Sequence, residues 1–272
     1  MSTLILSGFG TNCERETAYA CRRSGADGVR IRHINQLYET GAEQVRLDDH
    51  RFLVLIGGFL DGDDLGGARA CANRFRYRHL PGGGTVLESL QRFIAGGGLV
   101  LGICNGFQLL VRLGLLPGLP EGAGRQQVTL TQNARGRFED RWVRLTPDAE
   151  SPCIFTRGMA PVELPIRHGE GRMVGETPDF LESMAARHLV PLRYADAAGQ
   201  PTEAYPDNPN GSPLGVASLC NAGGTVMGLM PHPEAYNHYT NHPRWTRMAH
   251  DGEDGAGLAL FRNAYRHLAT GR

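Results

Sequence analysis

Three short stretches, far apart in the chain, hold residue types that together could do acyl-transfer chemistry. Gly102-Ile103-Cys104-Asn105-Gly106 sets a thiol between glycines two positions to either side. An apolar run over 100–103 precedes the thiol, and Phe107, Leu109, Leu110 and Leu113 recur after it at roughly helical spacing. A buried strand therefore turns into a helix at the cysteine. A nucleophile elbow needs this arrangement, because a Cβ at either flanking position would collide with strand or helix. The first N–H groups of the new helix point toward the sulfur and can hold an oxyanion. A buried cysteine between two packing glycines would give the same five residues, so the rest of the chain has to decide.

Pro231-His232-Pro233-Glu234 supplies an imidazole with a carboxylate two residues on, across a proline of fixed φ. Such a pair can serve as a base and the group that orients it. Gly57-Gly58-Phe59 lets the backbone come close to a ligand, and an N–H there would join that of Asn105 as a second oxyanion donor. His168-Gly169-Glu170-Gly171-Arg172 reads as a loop too polar and glycine-rich for a core, suited to the charged ends of an amino acid.

The elements that must position these groups follow an α/β grammar. Residues 4–6, 29–31 and 52–56 read as apolar strands. Between the first two, Thr11-Asn12-Cys13-Glu14 reads as a capping box opening a helix that stops near Gly25. Strand, helix and strand with apolar strands describe a parallel sheet covered on both faces, whose sites form at strand carboxyl ends. Helices are expected over 68–78, 86–94 and 257–268, and strands over 214–219 and 226–230. The short runs between 128 and 165 suggest the antiparallel part of a mixed sheet, after a Pro/Gly-rich loop at 118–124.

Composition narrows the partners. Lys plus Arg and Asp plus Glu number 28 each, so no basic stripe marks a nucleic-acid surface. No apolar run approaches the roughly 20 residues of a membrane helix, and no signal peptide is apparent, which leads us to expect a cytoplasmic protein without membrane contact. Six cysteines without a Cys-x-x-Cys pair argue against a zinc ribbon and a disulfide framework. Cys13, Cys21, Cys71, Cys153 and Cys220 are expected to be packing residues. Asp61, Asp63 and Asp64 read as a solvated loop and helix start, and His238 and His242 lie in a proline-flanked loop poorly suited to zinc.

In their order along the chain, Gly57-Gly58-Phe59, the run from Gly102 to Gln108, and Pro231-His232-Pro233-Glu234 resemble the class I (triad) glutamine amidotransferases. Thr11-Asn12-Cys13-Glu14, the Cys104-Asn105-Gly106-Phe107-Gln108 elbow and His168-Gly169-Glu170-Gly171 make the chain similar, over nearly its full length, to the glutaminase subunits of phosphoribosylformylglycinamidine synthases of purine biosynthesis. The resemblance implies one glutamine amidotransferase domain over 1–272, a three-layer αβα sandwich with a mixed, mostly parallel, flavodoxin-like central sheet. It implies Cys104, His232 and Glu234 as the catalytic triad and Gly58 and Asn105 as oxyanion donors. Glutamine would be held by Gly57, Phe59, Gln108, His168, Gly169, Gly171 and Arg172. No metal and no cofactor is implied for this chain; ATP and magnesium would be used by the synthetase subunit that receives the ammonia, with or without a small auxiliary subunit. In keeping with this, the chain has no Gly-x-x-x-x-Gly-Lys-Ser/Thr loop.

The family's usual Gly-Gly-Phe-Ser-Tyr-Gly-Asp stands here as Gly57-Gly58-Phe59-Leu60-Asp61-Gly62-Asp63. Residues 76–84 and 126–141 look like added length, and Asn133, Arg137, Phe138 and Glu139 are similar to the large fused forms. The docking surface and subunit composition stay open on these grounds. Another class I amidotransferase or a related cysteine hydrolase would share the elbow without needing His168-Gly169-Glu170-Gly171. A non-catalytic interaction subunit would not need an intact triad.

Overall fold

The computed structural model describes residues 2–122, 124–249 and 252–271. In chain order its strands are Ser2–Ser7 (β1), Gly28–His33 (β2), Phe52–Leu55 (β3), Leu99–Ile103 (β4), Val128–Gln132 (β5), Glu139–Pro147 (β6), Val162–His168 (β7), Glu170–Gly175 (β8), Leu192–Ala195 (β9), Ser218–Cys220 (β10) and Val226–Leu229 (β11). Its α-helices are Glu14–Arg23 (α1), Arg69–Tyr77 (α2), Val86–Ala95 (α3), Asn105–Arg112 (α4), Phe180–Ala186 (α5) and Leu258–Thr270 (α6).

Six strands form the central sheet in the order β10-β11-β4-β3-β1-β2. All neighbours run parallel except the edge pair β10–β11. Every residue of β3, β4 and β11 is buried, as strands covered on both faces must be. From β1 the chain crosses through α1 toward β2, and from β3 it crosses through α2 and α3 in the opposite direction toward β4. Right-handed crossovers in opposite directions put their helices on opposite faces, which makes the three layers. They also place the topological switch point between β1 and β3, where ligands enter such sheets. The segments after β1, β3, β4 and β11 carry Cys13, Gly58, Cys104 and His232 to that end of the sheet.

The antiparallel strands do not extend the central sheet as the sequence suggested. They form two small sheets of their own, β5 with β8 and β7-β6-β9. The expected loop at 168–172 is the junction of β7 and β8. The expected strand over 214–219 shortens to β10, because Leu214 and Gly215 take left-handed backbone in a short 3₁₀ turn behind Pro213. A capping box also fails to form at Thr11. The N-cap of α1 is Cys13, at φ 71°, and the Thr11 hydroxyl instead donates to the Glu14 carboxylate at 2.8 Å. Among the described α-helices, a reciprocal box forms between Thr85 and Glu88 at the start of α3. Ala123, in the expected loop at 118–124, lies outside the described residues.

Candidate active site

Cys104 stands between β4 and α4 at φ 52°, ψ −105°, a backbone conformation that side chains avoid unless the surroundings impose it. The surroundings here are close on both sides. A Cβ on Gly106 would lie 2.0 Å from the carbonyl oxygen of Leu55 in β3, and one on Gly102 would lie 2.7 Å from the carbonyl oxygen of Gly106. The Cys104 N–H donates to Leu229 at the end of β11, at 2.8 Å. Three residues further along, the His232 N–H donates to Pro165 of β7, at 2.8 Å. Two backbone bonds thus tie the elbow to the strand end that carries the imidazole, and the imidazole to the small sheet.

His232 and Glu234 are fully buried and joined, Nδ1 to Oε1, at 2.5 Å. Burial alone would lower the pKa of His232, but the Glu234 carboxylate and then the Cys104 sulfur outweigh it and hold the imidazole well above its usual value. Burial pushes Glu234 upward, and the charge on His232 more than reverses this, leaving the carboxyl below its usual range. Gly57 makes the approach possible, since a Cβ there would sit 2.9 Å from His232 Cε1 and 3.3 Å from Cys104 Cβ.

Gly58, at φ 132°, has no room for a side chain: a Cβ would meet the Gly10 carbonyl oxygen at 2.5 Å. Thr11 and Gly58 pair as an isolated bridge whose two bonds run from Asn12 N–H to Gly57 and from Phe59 N–H to Gly10. Neither uses the Gly58 N–H. The Asn105 side chain is committed to the wall of the site: its oxygen accepts from Leu60, and its nitrogen donates to Asp63 and Gln108. Only its backbone N–H, in the first turn of α4, is offered to a ligand.

A cavity of about 160 Å³ opens over the sulfur, lined by Gly58, Phe59, Asp63, Cys104, Gln108, Phe138, Arg167, His168, Gly169 and Glu170. The structure therefore brings most of the expected site residues together. Gly171 instead lies behind the His168 ring, which fills the space a Cβ would need. Arg172 is not among the lining residues, and Arg167, one strand position before His168, supplies the guanidinium there. Gln108 is held at both ends, by Asn105 and by the Glu170 carbonyl at 2.9 Å.

Three features were missed in the sequence. Asp63 is no solvated loop residue: it accepts from Asn105 and Ala68 and lines the cavity. Cys13 is not core packing. Its sulfur, an imidazole nitrogen of His232 and a Glu234 oxygen lie within 4.8 Å of one another, the one such group of potential metal ligands among the described residues. Arg167 Nη2 is 3.5 Å from the Cys13 sulfur and 4.0 Å from Glu234 Oε1, so this chain's own guanidinium already brings a positive charge there. The placement of Thr11-Asn12-Cys13-Glu14 just past an apolar strand was the available signal. Asn133 and Phe138, in the segment read as added length, are parts of the site wall, since Asn133 holds His168 and Phe138 lines the cavity. His238 and His242 do not converge: Nδ1 of the first bonds Thr240, and Nε2 of the second bonds Glu163 at 2.7 Å.

A doubly wound α/β sheet with a strained cysteine at one strand end and a buried histidine–glutamate pair at another has the layout that acyl transfer through a thiol requires. The chain belongs to the family of CobB/CobQ-like glutamine amidotransferase domains, which matches residues 1–268. It is 40% identical to the phosphoribosylformylglycinamidine synthase subunit PurQ of Dehalococcoides mccartyi, over 98% of this chain and 97% of that one. The subunit PurQ of Methanococcus maripaludis is 37% identical, over 89% of this chain and 85% of its own length. A solved PurLQS structure from Thermotoga maritima contains a chain that superposes with a TM-score of 0.70 at 25% identity, covering 98% of both chains.

Proposed function

We propose that this chain is the glutaminase subunit of a phosphoribosylformylglycinamidine synthase, hydrolysing glutamine and passing ammonia to an ATP-dependent synthetase subunit. The observation that carries the reading is the Cys104, His232 and Glu234 arrangement at one end of the sheet, in a chain that matches PurQ subunits over nearly its whole length. Cys104 as thiolate adds to the side-chain carboxamide carbon of glutamine, and the N–H groups of Gly58 and Asn105 receive the oxyanion. His232, held protonated by Glu234, gives its proton to the nitrogen; the C–N bond breaks and ammonia leaves. Water, deprotonated by His232, then hydrolyses the thioester to glutamate. Phe59, Gln108, His168 and Gly169 hold the substrate, with Arg167 in the place expected of Arg172. ATP and magnesium belong to the synthetase, a small auxiliary subunit joins where the complex has one, and the work is cytoplasmic.

Glutamate release from glutamine, measured with and without the synthetase subunit, ATP and formylglycinamide ribonucleotide, tests this. Release should rise steeply on assembly. In the complex, Cys104→Ala should abolish glutamine-dependent synthesis and spare synthesis from added ammonia. Hydrolysis indifferent to the partner would keep the chemistry and sink the pathway.

A further inference from the structure

The cavity over Cys104 carries charge of both signs. Its lining holds one guanidinium, that of Arg167, and two carboxylates, those of Asp63 and Glu170. Glu170 opens β8 and is half-buried. Its Oε2 accepts from the Gly67 N–H at 3.1 Å, and among the described residues no group bonds its Oε1. Asp63 stands at φ 55°, and its Oδ1 accepts from the Ala68 N–H at 3.0 Å. Gly67 and Ala68 are consecutive, so the two carboxylates are neighbours. Burial raises the Asp63 carboxyl above its usual value, the bonds from Ala68 and Asn105 hold it back, and the Glu170 charge adds to the rise. Arg112, whose Nε donates to the Gly67 carbonyl, offsets part of this from behind. Two bonds tie Glu170 to the nucleophile. The Gln108 N–H donates to the Cys104 carbonyl at 3.1 Å, and Gln108 Nε2 donates to the Glu170 carbonyl at 2.9 Å. Glu170 therefore lies one glutamine side chain and one hydrogen bond away from the first turn of α4.

We propose that Glu170, with Asp63 beside it, receives the α-ammonium group of glutamine and so makes the site selective for the free amino acid. This rests on the glutamine reading above. Glutamine has a carboxamide at one end and, at the other, a carbon that bears both an ammonium and a carboxylate. With the carboxamide carbon at the Cys104 sulfur, Arg167 matches the carboxylate. The open oxygen of Glu170 is the group left for the ammonium, since Gln108 is neutral and bonded at both ends within the wall. An ammonium N–H on a carboxylate is a charge-assisted bond, about twice as strong as a neutral one. Without a cation, two neighbouring carboxylates stay partly desolvated against each other, and an entering ammonium relieves both costs. A substrate that brings no cation leaves the carboxylates unmatched, and a site built for a polar group discriminates strongly against the analogue that lacks it. A glutamine whose nitrogen is tied up in a peptide bond is refused on the same ground, although its carboxamide would suit the sulfur.

The test is a selectivity ratio, measured on the assembled complex with glutamine and with glutaramate, which is glutamine without its amino group. The rate is read in both cases as product of the synthetase subunit. Wild type should prefer glutamine in kcat/KM. Glu170→Gln keeps the size of the side chain and an oxygen for the Gly67 N–H but removes the charge, and it should lower the ratio about tenfold, with the loss falling on glutamine. Both substrates use the same thiol, oxyanion donors and carboxamide, so damage to any of these cancels in the ratio. A ratio equal to wild type, whatever the absolute rates, overturns the proposal, as does a wild type that turns over glutaramate as well as glutamine. Should Glu170→Gln not fold, Asp63→Asn is read in the same way: a lowered ratio supports the proposal and a wild-type ratio overturns it. A wild-type complex that hydrolyses neither compound would instead sink the glutaminase reading itself.

Discussion

Two buried imidazoles in the region of Cys104 are held in opposite charge states, and the difference comes from what faces each ring. His232 has a carboxylate at 2.5 Å and holds its proton, whereas His168 has an amide oxygen at 3.1 Å and stays neutral. This has a consequence for stability. In the unfolded chain His168 takes a proton near pH 6.5, but in the folded protein it does so only near 3. Between those values the unfolded state binds the extra proton, so stability falls as the pH falls, by about 1.4 kcal/mol per unit for this one group. His232 has the opposite sign: its raised pKa gives stability fully present below 6.5 and lost as pH rises through its folded value. Glu234, lowered, gives up its contribution only as pH falls below the usual carboxylate range. Of these three groups, only His168 binds protons differently in the two states across the window from 6.5 down to 4.5. Urea unfolding of the wild type should weaken more steeply across it than that of His168→Gln, and equal slopes would show that the ring is not held neutral. His50, also lowered by burial first, acts alike in both proteins and cancels in the comparison.

At the level of elements, strand ends and their glycines were legible in the sequence, while the partners brought in from elsewhere were not. A Gly-x-Cys-x-Gly step from an apolar run into a helical period has one physical solution, and the elbow at Cys104 follows it. Cys13 and Arg167 belong to the site only because the start of α1 and the end of β7 lie against the segment that follows β11, and no local pattern encodes that neighbourhood. The antiparallel strands were legible as strands, but period-two alternation does not say which strands pair, so two small sheets were read as one extension. The glycines give the element-scale test, since two of them forbid a Cβ for different reasons. At Gly106 the obstacle is the backbone of β3, which cannot move alone, so Gly106→Ala should destabilise the fold by about 3 kcal/mol or prevent it from forming. At Gly57 the obstacles are the side chains of His232 and Cys104, and the backbone there is not left-handed. Gly57→Ala should therefore keep its thermal midpoint close to wild type while glutamine turnover drops about 100-fold, the effect of displacing a reacting group by a fraction of an ångström to one ångström. A Gly57→Ala protein with normal turnover would mean that the His232 ring does not need its present place.

Across the whole molecule, one connected apolar core runs from the central sheet into the small sheets, taking in Leu4, Val54 and Leu101 as well as Leu145, Leu164 and Tyr194. We propose on that ground that the chain unfolds as one unit, although its strands lie in three sheets. The cysteines can report on this. Cys21 is in α1, Cys71 in α2, Cys220 in β10, and Cys153 lies between β6 and β7, all of them buried and free. Burial pushes Cys21 and Cys71 up to about 12, which removes thiolate as well as access. Cys13 is partly exposed and Cys104 opens onto the cavity, so iodoacetamide should mark these two in the native protein and leave the other four untouched. As urea is raised, mass spectrometry of tryptic peptides should find the four buried thiols becoming reactive together, at the same midpoint as the loss of helical circular dichroism. If Cys153 or Cys220 reacts at clearly lower urea than Cys21 and Cys71, then the small-sheet side opens as a unit of its own. The bond from His232 to Pro165 and the cavity wall at His168 would then be lost before the sheet that carries Cys104.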